Sequence, residues 1–179
     1  MDAGLAGVVG AAVGVIGGLG SGFIAFLSQN AQQRRQQTID REHRLEQSRR
    51  EAYLVCVETS KHMTAAWWKL ANCILSDDRP AELCQQYAQE AQHVWVAFTK
   101  TADAVCIAGP NEMAEAVQSL REAMWRMDRA GTSWYECVRS GDNVDLDSCE
   151  EEFRAAEAAR TQQGFVFLAA ARRALMAEH

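Results

Sequence analysis

The chain has 179 residues, room for one domain with a core of its own beside an apolar segment. Its formal net charge of -6 and pI near 5.2 argue against a nucleic-acid binder, which needs basic surface to displace counterions from phosphate. It has 2 prolines, and 8 of its 12 glycines fall between residues 4 and 22, so the remainder is nearly free of helix breakers and the expected fold class is all-α.

Residues 4–28, "GLAGVVGAAVGVIGGLGSGFIAFLS", contain no charged side chain. A bilayer core about 30 Å thick needs roughly 20 apolar residues in a helix, so this stretch predicts a single transmembrane helix. A secretory signal would carry a basic leading region, whereas here the only charge ahead of the apolar run is Asp2. Arg34, Arg35, Arg41 and Arg44, with Arg49 and Arg50, all follow the span, and the positive-inside bias then puts the C-terminal part in the cytoplasm. Residues 1–3 are expected outside. Lysine occurs only at Lys61, Lys69 and Lys100, against fifteen arginines, a bias of GC-rich coding that suggests a bacterial membrane.

Gly10, Gly14, Gly18 and Gly22 recur every fourth residue and line one stripe of such a helix. Small residues on a stripe let a second backbone approach closely, so the segment is expected to self-associate. The repeat resembles the glycine zippers of oligomeric membrane helices, some of them pore-forming; the resemblance covers this segment alone.

Residues 29–50 form a polar, arginine-rich stretch without a breaker, expected to continue as a stalk helix about 33 Å long. Asp40 with Arg44 and Glu46 with Arg50 are i,i+4 pairs in the favourable order, and Ala31, Thr38, Leu45 and Ala52 make a faint heptad seam for a coiled coil with a second copy. The arginines also suit anionic lipid.

Residues 51–179 read as an antiparallel four-helix bundle. The first apolar stripe is Ala52, Cys56, Thr59, Met63, Ala66, Leu70 and Cys73, ending at "SDDRP", with Pro80 in the first turn of the next helix. The second is Leu83, Tyr87, Ala91, Val94, Phe98, Ala102 and Val105, closed by Gly109, with Asn111 as the following N-cap. The third, Met113, Val117, Leu120, Met124, Met127, Gly131, Trp134 and Val138, is the most regular. Ser148 with Glu151 reads as a capping box for a last helix through Phe153, Ala156, Phe167, Ala170 and Ala174. Trp67, Trp95, Trp125 and Trp134 are expected to fill the core or its boundary.

The up-down topology places Cys73, Cys84, Cys137 and Cys149 at nearly one height, one from each helix, at the end of the bundle holding the 76–79 and 140–147 loops. Burial as small hydrophobes is the plain expectation for them, and a four-thiolate metal centre or a redox sensor the sharper one. Disulfides are not expected in a reducing cytoplasm. His62 and His93, with Glu90, share a lower level but lack the second motif of a di-iron bundle. The acidic tip (Asp77, Asp78, Asp142, Asp145, Asp147 and Glu150 to Glu152) fails the calcium-loop pattern at Ser148 and Arg154, and suits a basic protein partner instead. There is no phosphate-cradling loop, nucleophile elbow or histidine-paired nucleophile, so neither catalysis nor a cofactor is expected. The function expected is that of a membrane-anchored, self-associating interaction or assembly platform. The alternatives are a pore-forming or membrane-lesion effector and a metal or redox sensor.

Overall fold

A computed structural model describes the backbone of residues 3–76, 78, 80–141 and 146–177, and side chains at residues 36, 40–76, 78, 80–141 and 146–177. The fold is all-helical, with four helices and, among the described residues, no strand: α1 (Ala3–Leu75), α2 (Ala81–Ala108), α3 (Asn111–Ser140) and α4 (Leu146–Met176). The chain divides into two compact units, Met1–Leu45 and Glu46–His179. The first contains helical backbone of α1, and the glycines 10, 14, 18 and 22 fall within that helix. Their packing, and the side chains of Arg34 and Arg35, lie outside the described residues, as do Asp77, Asp142 and Asp145. Among the residues whose side chains are described no helix is long and apolar enough to cross a membrane, and the expected span 4–28 lies outside them.

The second unit is a four-helix bundle. Its antiparallel order is read from contacts that descend one helix while climbing the next: Lys69 to Glu90 and Thr59 to Thr101 between α1 and α2, Asp103 to Arg121 and Cys106 to Gln118 between α2 and α3. Trp134 against Phe153 and Glu112 to Arg173 do the same for α3 and α4. Contacts begin before residue 51, since the Arg49 guanidinium donates to the Ala108 carbonyl at 2.8 Å.

The α3 stripe is buried from Met113 to Trp134, and Val138 is half-buried near the end. On α1, Tyr53, Trp67, Ala71 and Ile74 join the expected positions. On α2 the phase at the start differs from expectation: Leu83 is 38% exposed and Cys84 4%. The cause is covalent, because Cys84 is bonded to Cys73 of α1 and that bond turns its face of the helix inward. On α4 the apolar stripe is interrupted midway by Arg160, which is largely covered and held by Glu157 at 3.0 Å.

Helix starts differ from the sequence reading in both directions, α2 beginning later and α3 and α4 earlier. Pro80 and Pro110 are themselves the N-caps, extended at φ -66 and -67°, so Pro80 precedes the first turn and Asn111 is already helical. The reason is that each proline carbonyl accepts the opening helical bond, from the Cys84 amide at 3.0 Å and from the Ala114 amide at 3.1 Å. α4 is helical from Leu146, which puts Ser148 within its first turn rather than at its cap. Gly141 closes α3 in the left-handed conformation at φ 70°, where a side chain would be strained.

Candidate functional site

Two places in the bundle carry chemistry. The first is the end at which α1 turns into α2 and α3 into α4. Here the four expected cysteines separate into two pairs, each spanning one turn. Cys73 and Cys84 are joined as a disulfide with Cα atoms 5.9 Å apart, eleven residues apart in sequence. Cys137 and Cys149, twelve residues apart, have sulfurs 3.4 Å from each other, the Cys149 thiol donating to the Cys137 sulfur.

This pairing corrects two expectations. A disulfide is present where none was expected, and Cys73 and Cys84 therefore have no thiolate to offer a metal. Among the described residues no three metal-ligating side chains converge, so a four-thiolate centre is not assembled. Counting rise per residue gives the common height of the cysteines, but not the angle of each about the bundle axis, and the angle decides who meets whom.

The other two cysteines differ in character. Burial pushes the Cys56 thiol up to about 11 against a hydrogen bond with Thr101, which leaves it a poor nucleophile. Cys106 is half-buried and accepts from the Gln118 amide at 3.4 Å.

The second place is a groove of about 500 Å³ between α2 and α3, bordered by Trp95, Thr99, Gln118, Arg121, Glu122 and Trp125. Trp125 is 46% exposed and carries the Arg129 guanidinium over its ring at 5.5 Å, so it is a surface group rather than core fill. Trp95 is half-buried against Phe98, ring centroids 6.0 Å apart. Each of the two stands one residue past a stripe position, Val94 and Met124, about 100° round from the core on a seam between helices. That offset was the signal in the sequence.

Trp67 and Trp134 are buried as expected. The Trp67 indole donates to the Asp128 carboxylate at 3.2 Å. Burial raises Asp128 from its ordinary range to about 6, opposed by that hydrogen bond. Because the folded state favours the protonated form, the stabilisation is full below the unfolded pKa near 3.8 and is lost as pH rises through about 6. After discounting for partial solvent exposure, this group is expected to lower unfolding free energy by about 1–2 kcal/mol between pH 4 and 7. Asp128→Asn keeps an acceptor for Trp67 and is expected to flatten that part of the pH slope in urea titrations. Parallel slopes for variant and wild type would refute the assignment.

His62 and His93 are exposed, and Glu90 is engaged by Lys69 at 2.7 Å, so that level holds a surface ion pair. Asp78, Asp147, Glu151 and Glu152 are exposed at the acidic tip, while Glu150 binds Arg154 at 2.6 Å. Arg41 and Arg44 are exposed. No family model, curated protein or solved structure matches the chain.

Proposed function

We propose that this protein is a membrane-anchored, self-associating platform that presents its helical bundle at the cytoplasmic face of a bacterial membrane, and that it acts by binding rather than by catalysis. The observation that carries the reading is the uncharged apolar run 4–28 with glycines at 10, 14, 18 and 22, four residues apart on helical backbone. A glycine stripe in such a run favours close helix pairing in lipid, and the arginines that follow it favour an inward-facing C-terminal part. A partner protein has two surfaces to use. The Trp95–Trp125 groove offers aromatic anchors of the kind that dominate interface energetics, and the acidic tip suits a basic partner.

Chemical crosslinking of the full chain in membranes tests the reading. Wild type is expected to give discrete crosslinked oligomers. The double variant Gly14→Leu, Gly18→Leu, with bulk on the stripe, is expected to lower the crosslinked fraction several-fold. A wild type as monomeric as the double variant would sink the proposal.

A further inference from the structure

The two hairpins of the bundle are built alike at the turn end, each with a cysteine before and after its turn, at separations of eleven and twelve residues. In the first the pair is already bonded; in the second the sulfurs stand 3.4 Å apart, about 1.4 Å beyond the length of a sulfur–sulfur bond. The geometry points to Cys137 and Cys149 as a second, reversible disulfide site, a dithiol that closes the α3–α4 hairpin by exchange with a small-molecule disulfide.

Three features support this assignment. Both residues are half-buried, so a small disulfide can reach their sulfurs. Cys137 lies in the last turn of α3 and Cys149 in the first turn of α4, so the two sulfurs face each other across a single connection. The contact between the pair is directed, thiol to sulfur, rather than one of two cysteines merely sharing a layer. Cys56, by contrast, is buried with its thiol held at about 11, which keeps it out of the exchange.

The reaction balances without a metal or a further oxidant. One thiolate of the pair attacks the small disulfide, forming a mixed disulfide and releasing one small thiol. The second thiolate then attacks the protein sulfur of that mixed disulfide, forming the Cys137–Cys149 bond and releasing the other small thiol. The protein dithiol is oxidised by two electrons, the small disulfide is reduced to two thiols, and the protons of the pair leave on those thiols. The product holds α3 to α4 as Cys73–Cys84 holds α1 to α2, so the bundle becomes two closed hairpins. In a reducing compartment such bonds, Cys73–Cys84 included, are transient and report redox state. The assignment does not depend on the membrane reading, since it rests on the bundle alone.

The test uses the full chain in mild detergent, exposed to oxidised glutathione at graded ratios to glutathione, then acid-quenched and denatured. Free thiols are blocked with one alkylating reagent, disulfides reduced, and the released thiols labelled with a second before peptide mass spectrometry. Cys137 and Cys149 are expected to enter the second pool together and in equal amounts, with a peptide linking the two and no retained glutathione. Cys56 is expected to stay in the first pool. Cys137→Ser and Cys149→Ser each remove the second thiolate, so the remaining cysteine is expected to hold glutathione as a trapped mixed disulfide. Oxidation is also expected to raise the Tm of wild type by about 5–10 °C and of neither variant. Glutathione retained on Cys137 or Cys149 in wild type, linkage of either to any other cysteine, or both remaining thiols in excess oxidised glutathione would each overturn the assignment.

Discussion

Phe153→Ala is expected to cost the bundle about 3–5 kcal/mol, a large share of the stability of an ordinary domain. Phe153 is 1% exposed and is the only buried aromatic residue in the first half of α4. It meets three tryptophans at once: Trp68 edge-on at 5.7 Å between ring centroids, Trp134 at 5.6 Å and Trp67 at 6.2 Å. Truncation removes the buried ring area and leaves a cavity lined by rigid indoles, which have little freedom to collapse into it. Ring pairs add about 0.5–1.5 kcal/mol each beyond area, so losing three geometries together puts the cost in the upper part of the range. Urea titration of the full chain in detergent, followed by tryptophan fluorescence and by helix signal, measures the change. The same residue also serves as a probe of topology, because α1, α3 and α4 meet at it. A loss under about 1 kcal/mol would mean that α4 does not seat there.

How far the sequence foretold this arrangement depends on the element. α3 was legible in full: seven positions from Met113 to Trp134 repeat at three and four, and all of them are buried because the helix is flanked by α2 and α4. The order and direction of the helices followed from their lengths and short turns. The start of α2 was not legible, because hydrophobicity favours Leu83 over Cys84 and only the partner across the turn reverses the choice. The apolar pattern of α4 has a gap between Ala156 and Phe167; the structure fills it with the Glu157–Arg160 pair, a polar solution that an apolar pattern cannot predict. The starts of α2 and α3 differ by a residue because proline carbonyls, rather than side-chain caps, accept the opening bonds.

The candidate sites divide along the same line. Height along the bundle follows from a rise of 1.5 Å per residue, and each cysteine pair flanks one turn between helices. Azimuth does not follow from rise, and it turned four candidate ligands into two hairpin pairs. The groove is not legible from residue type: Trp95 holds a boundary position as expected, whereas Trp125, just off its stripe, stands exposed. Exposure of a large aromatic at such a seam is more informative than its presence in a helix.

Gly131→Ala and Gly164→Ala are expected to change stability in opposite directions, although both replace a glycine inside a helix. Alanine is the better helix former by about 1 kcal/mol, and at Gly164, where an added Cβ meets nothing within 4 Å, that preference is expected to appear as a gain of about 0.5–1 kcal/mol. At Gly131 an added Cβ would run into the six-membered ring of Trp67. That ring has nowhere to go: it is 2% exposed, packed on Phe153 and tied through its indole nitrogen to Asp128 of the same α3 helix. Either the indole leaves its hydrogen bond, stranding a buried donor, or α1 and α3 move apart along the core. Overpacking of this kind costs about 3 kcal/mol at the upper end, so after the helix-forming gain the net loss is expected near 2 kcal/mol. Urea midpoints of the two variants beside wild type give both signs in one experiment, and a red shift of tryptophan emission in Gly131→Ala alone would locate the displacement at Trp67. If Gly131→Ala were as stable as wild type, the close passage of Trp67 over α3 would have to be abandoned.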